Sequence, residues 1–210
     1  MSDPRAADLQ IREYLDRLAA KLPAPGGGSA SALVGALGAA LAAMVANFTV
    51  GQEKFAPVED DVRRVLEAVE AQRAALLDLI QEDMDAYGEV SAAFKLPKDD
   101  PARAEAVQRA LKGAAAVPLA IVDGCLAVLR LLPELLEKSN PNLVSDVGVA
   151  AACAECALRC AWLNVEINLA YLKDEEYVAA TRAALDERLV EARHVAAEVW
   201  EGTVGRVAKR

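Results

Sequence analysis

The stretch LPAPGGGSASALVGALGAALAAMVANFTVGQ, residues 22–52, contains no charged side chain. It opens with two prolines and three consecutive glycines, and a run rich in alanine and glycine follows. Proline and clustered glycine interrupt regular structure, whereas alanine is the strongest helix former. The stretch therefore predicts a tight turn and then a helix with Ser29 as its N-cap. A helix without a polar face must be covered on most sides, which predicts a helical bundle around it.

This helix also raises the question of a membrane span, because about 20 apolar residues suffice to cross a bilayer. Alanine and glycine contribute little insertion energy compared with leucine or phenylalanine, and no second segment suggests a span. A buried helix of a soluble bundle is the favoured interpretation, and no membrane partner is expected. Gly35 and Gly38 each cost the helix about 1 kcal/mol relative to alanine. They indicate that another helix crosses there at short distance.

The composition of the 210 residues extends the helical prediction to the whole chain. Hydrophobic residues make up 54% but aromatic residues only 4%, so alanine, leucine and valine dominate. The net charge of −9 argues against a nucleic-acid partner, which would require a basic face. No apolar signal segment is visible at the N-terminus, and the four cysteines are dispersed. A cytoplasmic protein with reduced thiols is therefore expected.

Periodicity and loop residues divide the sequence into about six helices. They are predicted at about residues 5–21, 29–50, 58–94, 102–136 and 142–172, and from Asp174 to near the C-terminus. Pro118 is expected to kink the fourth helix, and Pro133 or the residues after it to end that helix. Asn142 is the expected N-cap of the fifth. Without any useful period-2 alternation, the prediction is an all-α single domain over residues 1–210 that includes one very long helix.

Asp83 lies on the apolar face of the long third helix. It follows Ile80 by three residues and precedes Tyr87 by four, and these spacings bring side chains to one face. A carboxylate among apolar side chains is costly unless it is paired or protonated. Burial raises its pKa toward the range useful for general acid–base catalysis. Two interpretations stay open: a catalytic Asp83, or one that is solvated at the edge of the face or paired with a neighbouring helix.

Two further groups of polar or flexible residues are candidates for a site. Free amides of the turn at residues 26–29 suit an anion at a helix N-terminus, although a tight turn against a packed neighbour explains the glycines as well. Asn164 and Asn168 are four residues apart and share a helix face. Buried amides need partners, which either a second helix or a ligand can supply.

Cys153, Cys156 and Cys160 repeat at helical spacing, but a metal site would need a fourth ligand. The single histidine, His194, lies far away in a charged helix and has no local nucleophile beside it. Small buried helix residues are the favoured interpretation of the cysteines. Neither a metal nor redox chemistry is expected.

Three blocks of sequence carry a resemblance that runs from about residue 9 to residue 174. They are residues 22–51, residues 83–98 with Asp83-Met84-Asp85-Ala86-Tyr87 and Leu96-Pro97-Lys98, and residues 140–169. In this order the blocks resemble the cyclodeaminase/cyclohydrolase family, which includes the cyclodeaminase half of formiminotransferase-cyclodeaminase and free-standing methenyltetrahydrofolate cyclohydrolases. The resemblance implies an all-helical homodimer that binds tetrahydrofolate and needs no cofactor beyond that substrate. It also implies that Asp83 is the catalytic acid or base.

Two reactions are implied by the resemblance. A cyclohydrolase opens 5,10-methenyl-tetrahydrofolate to 10-formyl-tetrahydrofolate, and a cyclodeaminase forms 5,10-methenyl-tetrahydrofolate and ammonia from the 5-formimidoyl compound. The missing formiminotransferase domain favours the cyclohydrolase slightly. A non-catalytic helical dimer that binds folate or a protein partner is the alternative. The expected substrate contacts are Gly26, Gly27, Gly28, Ser29, Tyr87, Lys98, Asn142, Asp146, Asn164 and Asn168.

Overall fold

Helices account for nearly all of the regular structure in the computed structural model, which describes residues 10–209. They are α1 (Ile11–Ala19), α2 (Gly27–Asn47), α3 (Glu59–Lys95), α4 (Arg103–Lys138), α5 (Val144–Leu169) and α6 (Glu175–Val207). Short 3-10 turns at Glu53–Val58 and Pro141–Leu143 precede α3 and α5. Residues 10–209 contain no strand, so the predicted all-α bundle is confirmed. The predicted start of the first helix, near residue 5, lies outside the described residues.

The alanine-rich helix α2 lies at the centre of the bundle and packs against α3, α4 and α5. Ala32, Ala39 and Val45 are fully buried. An added Cβ at Gly35 would lie 2.7 Å from the Cys125 sulfur, and one at Gly38 would lie 3.0 Å from the Ala150 carbonyl oxygen. Both glycines therefore permit close helix crossings, as their position predicted.

Two helices, not one, are long and apolar enough to cross a membrane. Besides α2, helix α4 passes the same test of length and hydropathy, so the expectation of a single such segment was wrong. In the bundle, 61% of the most apolar 18-residue stretch of α2 and 56% of that of α4 are buried inside the protein. Core helices of soluble proteins have this character, so composition alone is weak support for a membrane span.

The ends of α2 and α5 differ from the prediction. Ser29 is the third residue of α2 rather than its N-cap, which is Gly26. The Ser29 hydroxyl instead reaches back, accepting from the Gly26 N–H at 3.1 Å. Asn142 is not an N-cap either, because the 3-10 turn comes before α5 and the Asn140 side chain accepts from the Asn142 N–H. The predicted start of α6 is confirmed, since Asp174 accepts from the Tyr177 N–H.

Helix α4 runs through both of its prolines and ends at Lys138, two residues from the predicted end. Each proline removes one helical N–H, which normally destabilises a helix interior. Buried leucines on both sides of Pro133, among them Leu129, Leu132 and Leu135, bind this segment to the core. Their burial offsets the missing hydrogen bond and keeps the helix continuous.

Candidate active site

A cavity of about 640 Å³ lies where the N-terminus of α2 meets the second half of α3, the first third of α4 and the end of α5. Pockets for small molecules typically have volumes of about 300–1,000 Å³. The residues that line this cavity are Pro23, Ala24, Gly26, Gly27, Gly28, Asp83, Ala86, Tyr87, Val90, Phe94, Leu111, Ala114, Asn164, Ile167, Asn168 and Tyr171.

Asp83 lies in this cavity against the first turn of α2. The Ser29 backbone N–H donates to its Oδ2 at 2.9 Å. A Cβ at Gly28 would lie only 1.9 Å from Asp83 Oδ1, so the carboxylate occupies the space that any other residue at position 28 would fill. Burial raises the pKa of Asp83 above its ordinary value, and the hydrogen bond from Ser29 opposes this increase. The pairing with a helix N-terminus stabilises the charged form without neutralising it.

Hydrogen bonds made by the side chains of Ser29 and Tyr14 hold the turn that contacts Asp83 in place. The Tyr14 hydroxyl donates to Ser29 Oγ at 3.2 Å, and Ser29 Oγ donates to the Gly26 carbonyl at 3.0 Å. Both side chains are buried. Within residues 10–209, the N–H groups of Gly27 and Gly28 have no acceptor. These two donors begin the helix beside the carboxylate and remain available to a ligand.

Asn164 and Asn168 form the opposite polar wall, on α5. The Asn164 Nδ2 donates to the Cys160 carbonyl at 2.8 Å. Its Oδ1 would be 3.2 Å from a Cβ at Gly27, so the amide lies directly across from the glycine turn. The Asn168 Nδ2 donates to the carbonyls of Ala114 and Asn164. Asn168 thus uses both of its amide hydrogens and Asn164 uses one of its two, and the side-chain oxygens of both residues remain as acceptors for a ligand.

The rest of the wall is apolar and partly open. Tyr87 and Phe94 from α3 are 49% and 46% exposed. Ile167 near the end of α5 and Tyr171 just beyond it are 57% and 61% exposed. Large apolar side chains at the rim of a polar cavity suit a ligand that has a flat apolar portion. The cavity therefore combines acceptors, two backbone donors and an apolar rim.

Seven of the predicted site residues line the cavity, and Ser29 contacts Asp83 through its backbone N–H. Lys98, Asn142 and Asp146 do not line it. Lys98 is exposed in the loop after α3. Asp146 is in the first turn of α5, about 27 Å from Asn164 at the helical rise of about 1.5 Å per residue. Asn142 precedes that turn and is exposed.

Several lining residues were not predicted. Ile167 and Tyr171 share the α5 face of Asn164 and Asn168 at spacings of three and four, so helical periodicity could have identified them. Leu111 and Ala114 come from α4, and nothing in their local sequence connects them with Asp83. They were missed because their position depends on how α4 packs against the bundle.

None of the four cysteines lines the cavity. Cys125 is buried, and burial raises the pKa of its thiol to about 12. Cys156 and Cys160 are exposed on α5, so the expectation that the cysteines are buried was wrong for these two. The part of the chain from residue 10 to residue 209 contains no cluster of three or more potential metal ligands.

Residues 10–187 match the family model of formiminotransferase-cyclodeaminase. The chain belongs to this family. It is 40% identical over 206 residues to a methenyltetrahydrofolate cyclohydrolase from Methylorubrum extorquens, covering 96% of this chain and 99% of that protein. The crystal structure of a formiminotetrahydrofolate cyclodeaminase from Thermotoga maritima superimposes with a TM-score of 0.82 at 33% identity, over 96% of this chain and 97% of that one.

Longer family members match through only one part of their sequence. The formimidoyltransferase-cyclodeaminase of Rattus norvegicus is 36% identical over 196 residues, which is 91% of this chain but 36% of that protein. The chain thus spans about a third of the length of this bifunctional relative. The cyclohydrolase and the cyclodeaminase that it matches over nearly their full lengths carry two different activities in chains of similar extent.

Proposed function

We propose that this protein is a methenyltetrahydrofolate cyclohydrolase in which Asp83 is the general base. The observation that carries the proposal is the Asp83 carboxylate held against Gly28 inside a cavity of suitable size. Among the relatives compared, the cyclohydrolase of Methylorubrum extorquens has 40% identity over 99% of its length. The substrate is a tetrahydrofolate derivative, and the proposed reaction requires no further cofactor.

The proposed reaction begins with water beside Asp83. The ionised carboxylate accepts a proton from this water as the water oxygen attacks the methenyl carbon of 5,10-methenyl-tetrahydrofolate. Asp83 then returns this proton to N5 as the bond between N5 and that carbon breaks. The hydroxyl group on the carbon loses its own proton as it becomes the formyl oxygen, so the ring opens to 10-formyl-tetrahydrofolate with the net release of one proton. The negative charge of Asp83 also favours binding of the cationic methenyl group. The N–H groups of Gly27 and Gly28 are suited to the oxygen that develops on this carbon.

The asparagine wall fits the other end of the substrate. Pterin rings carry adjacent N–H donors, and Asn164 and Asn168 offer side-chain oxygens as acceptors. Both amide hydrogens of Asn168 and one of Asn164 already bond to backbone carbonyls. The apolar rim around Phe94 and Ile167 suits the flat rings. Roles for Lys98, Asn142 and Asp146 in binding stay predictions, and contacts with the glutamate tail are the role proposed for Lys98.

Cyclodeamination is the second candidate, because the full-length match in Thermotoga maritima has that activity in its name. The same base would accept the N10 proton as N10 attacks the formimidoyl carbon and ammonia leaves. Methenyl-tetrahydrofolate absorbs in the near ultraviolet, so one spectrophotometer separates the candidates. Loss of its absorbance supports the cyclohydrolase, and its appearance from formimidoyl-tetrahydrofolate supports the cyclodeaminase. Activity in neither assay would overturn the proposal and favour a non-catalytic folate-binding dimer.

Asp83→Asn tests the role of the base. The amide keeps the shape and the ability to accept from Ser29, but it cannot take a proton. Turnover should fall at least about tenfold. Asp85→Asn is the matched control, because Asp85 lies two residues away on the exposed side of α3 and contacts Gln81. Unchanged turnover in Asp83→Asn, or an equal loss in both variants, would contradict the assignment.

A homodimer is proposed through the outer face of α5 and α6. Val149 and Leu163 on α5, and Val190, Trp200 and Val204 on α6, are each at least 48% exposed. Such an apolar face is typical of a protein interface. Light scattering after gel filtration should give twice the chain mass. Leu163→Glu should reduce it, whereas Ile11→Glu at an exposed position of α1 should not. A cytoplasmic location also remains part of the proposal.

A further inference from the structure

Pro118 lies in the interior of α4, where it is buried and does not line the cavity. A helical residue at this position would donate its N–H to the carbonyl of Ala114, four residues earlier. Proline has no N–H, and its ring pushes the carbonyl of that earlier residue away from the helix axis. The carbonyl of Ala114, a residue that lines the cavity, is therefore left without its usual helical donor.

Asn168 supplies the missing donor from another helix. Its Nδ2 donates to the Ala114 carbonyl at 3.0 Å and to the Asn164 carbonyl at 2.8 Å. A side-chain amide has two N–H donors, and both are used here. The amide group is thereby fixed at two points, and its oxygen is the polar atom left to face the cavity.

We propose that Pro118 is a positioning residue for substrate binding, acting through Ala114 and Asn168. By removing one helical N–H, it keeps a backbone carbonyl of α4 open to the Asn168 amide, which then presents an acceptor in a fixed orientation. This inference rests on the proposed folate chemistry, because it assigns Asn168 to a donor group of the substrate. It gives the helix-interrupting residue a function in the site rather than in the shape of α4 alone.

Pro118→Ala tests this arrangement, because it restores an N–H that competes with Asn168 for the same carbonyl. We expect the KM for methenyl-tetrahydrofolate to rise about three- to tenfold, the effect of weakening one hydrogen bond. The kcat should change less, because Asn168 holds the substrate and its transition state alike. The midpoint of thermal unfolding should stay equal or increase, because alanine is the better helix former. Pro118→Val restores the same N–H with a larger side chain than alanine. It is measured in place of Pro118→Ala if the alanine variant does not fold.

Pro133→Ala is the matched control on the same helix. It also restores a helical N–H, but Pro133 is 15 positions further along and does not line the cavity. Its KM should equal that of the wild type. A purely structural role for Pro118 predicts that both variants alter stability only.

The double variant Pro118→Ala with Asn168→Ala completes the test. If Pro118 acts through Asn168, the double variant has the KM of Asn168→Ala alone, because the two effects share one interaction. The side-chain NH2 resonances of Asn168, assigned by their loss in Asn168→Ala, should shift in Pro118→Ala and stay in place in Pro133→Ala. An unchanged KM in Pro118→Ala, additive effects in the double variant, or unshifted Asn168 resonances would overturn the inference. Failure of the proposed function would be distinct, since the wild type itself would then lack turnover.

Discussion

Gly28 and Gly38 lie on the same helix, and each leaves space where a side chain would stand, but different groups occupy that space. Beside Gly38 it is the backbone of α5, with the Ala150 carbonyl oxygen 3.0 Å and the Ala154 nitrogen 3.2 Å from an added Cβ. Beside Gly28 it is the carboxylate of Asp83, at 1.9 Å. In the middle of α2 a glycine serves packing, and at its N-terminus a glycine admits a titratable group into a cavity.

The same sequence signal thus has a structural role at one position and a functional role at the other. A glycine inside an alanine helix indicates close approach in both places. Only the approaching group separates the two cases, and that group comes from a distant part of the sequence. Substitutions at the two glycines should therefore affect different measurements, activity at one and stability at the other.

Gly28→Ala should have the largest effect, and it should appear in activity. The new Cβ cannot coexist with Asp83 Oδ1, so the carboxylate must move from its place beside Ser29. A displacement of about 1 Å at a reacting group can cost about 100-fold in rate. We expect kcat/KM to fall about 100-fold, while the thermal unfolding midpoint changes by only a few degrees, because the displaced group is the end of a side chain. A large loss of stability with normal specific activity in the folded fraction would contradict the distinction.

The surroundings of the two glycines should also respond differently to pH, because the carboxylate beside Gly28 titrates and the backbone beside Gly38 does not. Burial raises the pKa of Asp83. A base must be ionised, so kcat/KM should fall about tenfold per pH unit below this raised pKa. Stability should change in the opposite sense: the proton is held more tightly in the folded state, so this contribution is complete below the unfolded pKa of about 3.9 and is lost as the pH rises through the folded pKa.

Asp83→Asn is the control for both pH effects. It should remove the acidic limb from the residual activity, and at neutral pH its unfolding midpoint should equal or exceed that of the wild type. Steady-state rates and thermal unfolding measured from pH 4 to pH 8 check both expectations. An acidic limb of the same apparent pKa in Asp83→Asn would assign the limb to another group.

The sequence predicted local features well and long-range placement poorly. Helical spacing put Asp83 on the inward face of α3, and Gly38 indicated a close crossing, because both signals lie within one helix. The same reasoning could not separate Asn164 from Asp146, which share α5 but lie at opposite ends of it. Which end faces Asp83 depends on how α5 packs against α2 and α3. The contribution of Ala114 from α4 was out of reach for the same reason.

Gly38→Ala should lower stability and leave activity intact. The added methyl group meets the backbone of α5, which cannot rotate away as a side chain can. Overpacking of this kind costs about 1–3 kcal/mol, and the gain in helix propensity offsets about 1 kcal/mol of it. We expect the free energy of unfolding to fall by up to about 2 kcal/mol in urea titrations. Gly38 lies about 15 Å along α2 from Gly28, so kcat/KM of this variant should stay within a factor of about two of the wild type.

Gly88→Ala should give the smallest effect, and of the opposite sign. Gly88 is exposed inside α3, and an added Cβ would meet nothing within 4 Å. With neither a carboxylate nor a backbone beside it, only the conformational entropy of the unfolded chain remains, and alanine reduces that entropy. The free energy of unfolding should rise by about 0.5–1 kcal/mol, which raises the unfolding midpoint by about 2–4 °C for each kcal/mol in a chain of this size. A loss of stability here would mean that glycines in this bundle are required for reasons other than the groups that approach them, and the contrast between Gly28 and Gly38 would lose its basis.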